Sequence, residues 1–133
     1  PSLVGSEMCI RDRGEHIDEY LAHHPDPTRA RVSQGLVVIP TDRATPEQVR
    51  KYEAYAESRL ARTRTPQGPR GMLFSPDYVG PSDQLAERLY AHTGFQRAGE
   101  VAFALPFSFD ESDYIQIVTD IAERLGPALG WPR

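Results

Sequence analysis

Apolar and polar positions divide the chain into segments with strand-like and helix-like spacing. Residues 35–39, with the sequence GLVVI, form a short continuous apolar run that is rich in β-branched side chains. Such a run predicts a strand within 31–40 that is buried on both faces, as in a parallel sheet covered by helices. A second strand is predicted over 100–107, EVAFALPF. Alternation along and beyond it predicts four core side chains: Phe103, Leu105, Phe107 and Phe109.

Two helices are predicted before and after the first strand. Apolar spacing over 15–24 indicates a helix that ends before Pro25. After the strand, Thr45 can cap a helix in which Pro46 takes the first position and Gln48 closes a capping box. This second helix is expected to continue to about residue 62.

Two further helices are predicted in the second half of the chain. Ser82 is placed to cap a helix that runs to about residue 93, where Gly94 can end it. Asp110 is placed to cap the last helix, and Gly126-Pro127 is a strong stop signal after residue 125. The apolar stripe predicted for this last helix consists of Tyr114, Ile117, Val118, Ile121 and Leu125.

Strands that alternate with helices predict an α/β protein with a parallel sheet. Two strands alone make a poor sheet, which favours a chain that is the C-terminal fragment of a larger structure. A (β/α)₈ TIM barrel is the commonest fold with such repeating units, and we therefore predict a C-terminal fragment of a TIM barrel. A flavodoxin-like or Rossmann-like open sheet is the alternative.

The first thirteen residues, PSLVGSEMCIRDR, resemble the translation of a sequencing-library adapter. Residues 1–13 are therefore predicted to be an artefact, and residues 14–133 to be the C-terminal βα units. Their exclusion removes Cys9, the single cysteine of the sequence. It leaves the chain without a disulfide, a zinc knuckle or a cysteine nucleophile, which suits a reducing compartment such as the cytoplasm.

Composition and charge narrow the possible partners. The formal net charge is -4, so a broad basic surface for nucleic acid is not expected. The sequence has no apolar run long enough to cross a membrane and no signal peptide pattern. Phosphate-loop, dinucleotide-binding and zinc-protease motifs are also absent from it. The histidines His23, His24 and His92 lie at predicted helix ends, where a capping role is favoured over a metal or acid-base role.

A Pro- and Gly-rich segment, residues 62–80, separates the second and third predicted helices. Long irregular connections of this kind are often lids or binding loops. Four arginines lie in or next to it: Arg59, Arg62, Arg64 and Arg70. Guanidinium groups suit phosphate, sulfonate or carboxylate ligands, and the alternative is a solvated helix face that continues into an ordinary loop.

The second half of the chain resembles the end of luciferase-like flavin-dependent monooxygenases. The resemblance rests on VGPSDQLAERL at 79–89, on EVAFALPF, and on a last helix that ends in PALGW at 127–131. RVSQGLVVIPTDRATPEQ, residues 31–48, also fits a strand and helix of that family. The resemblance covers residues 15–131 in the order of elements, without a single diagnostic motif.

The resemblance implies a barrel oxidoreductase that uses reduced FMN or a deazaflavin coenzyme on a small organic substrate. It is compatible with a homo-oligomeric parent. Catalytic and flavin-binding residues of the family come mainly from earlier strands, so the catalytic residues stay unknown and this chain is expected to be inactive alone. Arg64 and Arg70 are candidate cofactor contacts, because family members often carry a mobile lid with an arginine at this stage of the fold.

A second resemblance points to acetyl-CoA-dependent N-acetyltransferases. LYAHTGFQRAG, residues 89–99, is similar to a signature near the end of that fold. There, Tyr90 would act as general acid toward the leaving thiolate. This reading requires an antiparallel sheet splayed around residues 89–100. A non-catalytic α/β fragment is the third possibility.

Overall fold

The computed structural model describes residues 2–5, 10–71 and 73–132. In chain order its strands are β1 (Ser2–Gly5), β2 (Arg31–Pro40), β3 (Tyr78–Gly80) and β4 (Glu100–Ala104). The α-helices are α1 (Ile10–His23), α2 (Pro46–Arg59), α3 (Ser82–Tyr90), α4 (Thr93–Arg97), α5 (Glu111–Asp120) and α6 (Gly126–Ala128). Short 3₁₀ turns cover Pro27–Arg29 and Leu60–Thr63. The prediction of an α/β protein is confirmed.

The sheet is built around β2, and all of its pairings are parallel. β1 pairs with the first residues of β2, from Arg31 to Gln34. β4 pairs with the middle of β2, from Ser33 to Val37, and β3 pairs with its end, from Val38 to Pro40. The predicted bounds of β2 and the parallel arrangement are both confirmed.

Both faces of β2 are covered, as its continuous apolar run predicts. On one face Leu36 and Val38 join a core formed with α3, α4 and the end of the chain. The members of this first core are Leu36, Val38, Tyr78, Leu85, Ala86, Leu89, Phe95, Leu125 and Leu129. On the other face Val37 and Ile39 pack with Tyr52 of α2 and Ile117 of α5 to form a second core.

This arrangement differs from the order that a barrel segment requires. In a (β/α)₈ barrel the strands follow one another around the barrel and the helices lie outside it. Here β4 pairs with β2, and helices cover both faces of the sheet. The described sheet therefore has the layering of an open α/β sheet.

Capping explains where two of the helices begin. The Thr45 side chain accepts a hydrogen bond from the Gln48 amide, and the Gln48 side chain accepts one from the Thr45 amide. Asp110 and Asp113 form the same reciprocal capping box at the start of α5. Both predicted starts are confirmed.

The region between α2 and β4 departs from the prediction in three ways. Tyr78–Gly80 is a third strand that its neighbouring prolines and glycine hid from the apolar pattern. The cap of α3 is supplied by Asp42, which accepts hydrogen bonds from the Ser82 amide and hydroxyl. α3 also ends at Tyr90, because His92 starts α4 by accepting a hydrogen bond from the Phe95 amide. Gly94 therefore lies inside a helix and does not end one.

Gly126-Pro127 does not end the last helix, in contrast to the prediction. A π-helical turn, Ile121–Leu125, connects α5 to α6, and the Gly126 amide donates to the Ile121 carbonyl five residues earlier. Pro127 has no amide hydrogen and cannot donate to a backbone carbonyl. The hydrogen bond that closes the wider π-helical turn is donated by the residue before it, so the helix continues through this position. The helix ends in a Schellman motif, with the Trp131 amide bound to the Gly126 carbonyl at 2.9 Å and Gly130 at φ +75°.

Two of the predicted core residues at the end of the second strand are exposed. β4 ends at Ala104, before Pro106, and the alternation of buried and exposed positions stops there. Phe107 is 77% exposed and Leu105 is 38% exposed. Phe103 packs against the first core and Phe109 against the second, as predicted. On α5, Val118 is likewise exposed and not part of the buried stripe.

The adapter origin of residues 1–13 stays a prediction. Ser2–Gly5 form β1 beside β2, and Ile10 begins α1, so part of this segment adopts regular structure in the full chain. Residues 6–9, which include Cys9, lie outside the described residues.

Replacing Gly130 by alanine tests the helix end. Gly130→Ala places a Cβ in the left-handed conformation, which we expect to lower the free energy of unfolding by about 1 kcal/mol. Gly99→Ala is the matched control, because its Cβ would make only an ordinary 3.8 Å contact with the Val32 carbonyl. Urea denaturation of both variants measures the difference, and equal effects would contradict the assigned motif.

Candidate functional site

The four arginines of the Pro- and Gly-rich segment do not form one cluster. Arg59 and Arg62 are half-buried and line a cavity of about 260 Å³. Arg64 follows the 3₁₀ turn and Arg70 lies in the next turn; both are exposed, and neither lines this cavity. Their role as cofactor contacts stays a prediction.

The cavity lies between the second half of α2, the residues before β3, and α3. Its wall combines apolar and charged side chains, which are Glu53, Ala56, Glu57, Arg59, Leu60, Arg62, Thr63, Phe74, Ser75, Pro76, Asp77, Val79 and Arg88. The amide of Phe74 donates to the Arg62 carbonyl at 3.1 Å, which holds the returning chain against the 3₁₀ turn. The irregular segment thus forms one side of a cavity, and its role as a binding loop stays a prediction.

Aromatic rings support three of the guanidinium groups around this cavity. Arg62 lies over Phe74 at 3.8 Å, Arg88 over Tyr78 at 4.7 Å, and Arg59 over Tyr55 at 5.0 Å. These distances are typical of cation–π contacts.

Arg59 has a further contact on the cavity wall. It donates from Nε to Asp77 Oδ2 at 2.6 Å, and both side chains are largely buried. A buried carboxylate is stable only beside a positively charged donor. Asp77 and Arg59 therefore form an ion pair without net charge in the cavity wall.

A second polar region lies at the carboxyl ends of β2 and β3, where barrel enzymes and open α/β sheets place their functional groups. The Thr41 amide donates to the Gly80 carbonyl at 3.0 Å, which joins the two strand ends. Asp42 accepts from the Ser82 amide at 3.2 Å and from its hydroxyl at 2.5 Å. Asp42 therefore occupies the start of α3, where an anionic ligand would otherwise find its donors.

Asp113 is the centre of a buried polar network between α2 and α5. Its carboxylate accepts from Lys51 Nζ at 2.5 Å and from Gln48 Nε2 at 3.1 Å. The Tyr52 hydroxyl donates to Gln116 Oε1 at 2.7 Å, beside the same carboxylate. All of these groups lie on the face of the sheet that carries the second core. The network therefore joins the two helices on that face.

Burial and the neighbouring charges set the protonation of this network. Burial alone would raise the Asp113 pKa, but hydrogen bonds from Lys51 and Gln48 lower it below its usual value. The Lys51 pKa is raised, mainly by its hydrogen bond to Asp113 and then by that to Asp110. Burial, followed by the charge of Asp113, raises the Tyr52 pKa well above its usual value. The tyrosine thus stays neutral and the Asp113–Lys51 pair stays charged at neutral pH.

Asp120, the residue directly before the π-helical turn, extends this network to the end of β2. It is fully buried, and it accepts from the Arg43 amide at 2.9 Å and from Gln116 Nε2 at 2.6 Å. Gln116 also donates to the Pro40 carbonyl at 3.1 Å. The acidic side chains of α5 thus hold the helix against the carboxyl end of the central strand.

All three histidines make local hydrogen bonds near helix ends, but only His23 does so in the expected way. His23 Nδ1 lies 2.8 Å from the Glu19 carbonyl, in line with the predicted capping of the helix end. His24 instead accepts from the Asp26 amide, and His92 caps the start of α4. Among the described residues, no group of three or more His, Cys, Asp and Glu side chains is arranged to hold a metal ion.

Tyr90, the candidate acid of the acetyltransferase reading, lies on the surface of α3. Its hydroxyl donates to the Leu129 carbonyl at 2.6 Å, and its ring meets Phe95 edge-on. The neighbouring segment is helical, and every described strand pairing is parallel. These features differ from the splayed antiparallel sheet that an acetyltransferase requires.

No protein-family model matches the chain, and no curated protein matches it significantly. Within the part of the chain that the structure describes, none of the helices combines the length and the apolar character needed to cross a bilayer.

Sequence reasoning missed the buried carboxylates and several cavity residues. Asp113, Ile117 and Asp120 share one helix face at spacings of four and three. The predicted burial of Ile117 therefore implied that Asp113 and Asp120 are buried as well. Asp77 and Arg88 are 11 positions apart in the sequence and line the same cavity because β3 leads directly into α3. No local sequence pattern predicts that they share a cavity.

Replacing Asp113 by asparagine tests the buried network. We expect Asp113→Asn to lower the free energy of unfolding by about 1–3 kcal/mol at pH 7, because charged hydrogen bonds are lost. The folded-state pKa of Asp113 is lowered, so its stabilisation is present above about pH 4 and is lost as the pH falls through the lowered pKa. The difference in unfolding free energy between the unaltered chain and Asp113→Asn should therefore become smaller in acid.

Asp110→Asn is the matched control for this prediction. Asparagine caps a helix as well as aspartate does, and the exposed Asp110–Lys51 pair contributes little. We expect a loss below about 1 kcal/mol. Urea denaturation at pH 7, 5, 3 and 2 compares the variants. A difference in unfolding free energy between the unaltered chain and Asp113→Asn that stays constant down to pH 2 would contradict the assignment.

Proposed function

We propose that this chain is the C-terminal part of a cytoplasmic, luciferase-like flavin-dependent oxidoreductase that acts on a small organic substrate. Under this proposal, β2, β3 and β4 with the helices that follow them are the closing βα units of a (β/α)₈ barrel. The chain supplies structure to the enzyme and has no activity alone.

The parallel βα repeat is the observation that carries this proposal. β2 leads into α2, β3 into α3, and β4 into α5, and all pairings are parallel. Repeating units of this kind build both barrels and open α/β sheets. Of these two folds, the barrel is favoured by the luciferase-like order of elements.

The pairing of β4 with β2 is the feature that has to change in the complete enzyme. Successive barrel strands are neighbours, so β4 would lie beside β3 there. Both faces of β2 are apolar, and a chain without the other strands can bury them only by placing its own helices on both sides. The open layering of this chain is thus the arrangement expected of barrel units on their own.

Exposed apolar side chains near β4 and α5 support the same proposal. Phe107 is 77% exposed, Ile115 60% and Val118 49%. Ile115 and Val118 lie three positions apart on α5, and large exposed apolar side chains are typical of surfaces that bind another part of a protein. In the proposed barrel, the neighbouring βα unit covers these side chains.

The cavity nearest the candidate arginines does not by itself fit a flavin. Arg64 and Arg70 are exposed and do not line the cavity near them, and that cavity, at about 260 Å³, is below the ~300–1,000 Å³ of sites for larger ligands. Under the proposal, FMN or a deazaflavin is therefore held mainly by residues outside this chain.

Extending the chain in the genome tests the proposal. We expect uncontaminated DNA to continue the reading frame upstream of Gly14 with further strand–helix repeats. The extended protein should bind FMN or a deazaflavin coenzyme at one site per chain by fluorescence titration, whereas the 133-residue chain should bind neither. A start codon directly before Gly14, preceded by an in-frame stop codon, would overturn the proposal.

Polar substitutions on the exposed apolar surface test its role. We expect the double variant Phe107→Ser, Ile115→Gln to be more soluble than the unaltered chain and to keep its helix content, because both side chains are exposed. Ala54→Gln, at an exposed position of α2, is the control and should leave solubility unchanged. Light scattering and circular dichroism measure both properties. Equal solubility of the unaltered chain and the double variant would contradict an unpartnered surface.

A further inference from the structure

The cavity beside α2 is lined mostly by residues that lie away from the carboxyl ends of the strands. These residues belong to the second half of α2 and to 74–77, which precede β3, while Val79 lies one residue before the end of β3. Barrel enzymes place catalysis at the carboxyl ends of the strands, beyond Pro40, Gly80 and Ala104. The cavity is therefore a separate candidate site.

The ring-supported arginines give this cavity a fixed positive side. Arg88 lies over Tyr78, whose ring is 4% exposed and cannot easily move away. None of the ion pairs found among the described residues includes Arg88. The planar guanidinium carries N–H donors in a fork that a carboxylate can accept with two oxygens. Arg62, over Phe74, also lines the cavity.

The remaining lining sets the size and charge of a ligand. Leu60, Val79 and Phe74 provide an apolar surface, and a volume of about 260 Å³ suits a molecule smaller than a drug. Glu53 and Glu57 lie one turn apart on α2, exposed at the rim. Two carboxylates at the rim disfavour a multiply charged anion such as a phosphate ester, because like charges repel. A single carboxylate on an apolar body matches these features.

We propose that this cavity binds a small apolar monocarboxylate, with its carboxylate on Arg88 and its apolar body against Leu60 and Val79. The ligand lies between α2, α3 and residues 74–79, and its proposed role is that of a bound effector. The site uses only residues of this chain and does not depend on the proposed flavin enzyme.

Three probes test the proposal on the complete 133-residue chain. We expect benzoate to shift the backbone amide resonances of Ala56, Leu60 and Val79 in a saturable titration. Benzamide lacks the charge and acetate lacks the apolar body, so each should bind about tenfold more weakly. Equal binding of benzoate and benzamide, or shifts outside the cavity lining, would overturn the proposal, as would the absence of saturable shifts.

Two variants test the role of Arg88. Arg88→Gln should weaken benzoate binding about tenfold and leave benzamide binding unchanged. Arg50→Gln, at an exposed position of α2 that does not line the cavity, is the matched control and should bind benzoate like the unaltered chain. If Arg88→Gln does not fold, the benzoate–benzamide comparison in the unaltered chain decides alone. Unchanged benzoate binding in a folded Arg88→Gln variant counts against the site.

Discussion

The rest of the structure depends on β2. Every other described strand pairs with it, and the two hydrophobic cores lie on its opposite faces. Leu36 and Val38 project to one side, while Val37 and Ile39 project to the other. A register shift by one residue would exchange these sets and bring each core against the wrong helices. The helices, the cavity wall and the strand ends are thus positioned relative to ten residues of the chain.

Charged groups on α5 complement this apolar framework. Asp113 and Asp120 are buried beside Ile117, and each finds donors on a different element: Lys51 and Gln48 on α2 for the first, and the Arg43 amide after β2 for the second. Apolar contacts alone are tolerant of sliding, whereas buried hydrogen bonds require one geometry. The polar network therefore gives α5 a defined position along β2.

Local patterns predicted the elements whose determinants lie close together in sequence. The apolar run of β2 and the Thr45–Gln48 capping box are complete within a few residues, and both were predicted correctly. Asp42 at the start of α3 and the Arg59–Asp77 pair depend on contacts across 40 and 18 positions, so no local pattern could show them. Phe107 was assigned to the core because alternation was extended past Pro106, where the strand no longer continues.

The π-helical turn has a consequence for the geometry of the whole C-terminal helix. Ile117, Ile121, Leu125 and Leu129 recur every four residues, whereas a regular α-helix has 3.6 residues per turn. In a regular helix this stripe would drift by about 40° at each step, and Leu129 would point about 120° away from Ile117. One additional residue in a single turn removes about 100° of that drift. The widened turn at Ile121–Leu125 thus brings a four-residue repeat back onto one side of the helix, so its side chains reach from the second core to the first.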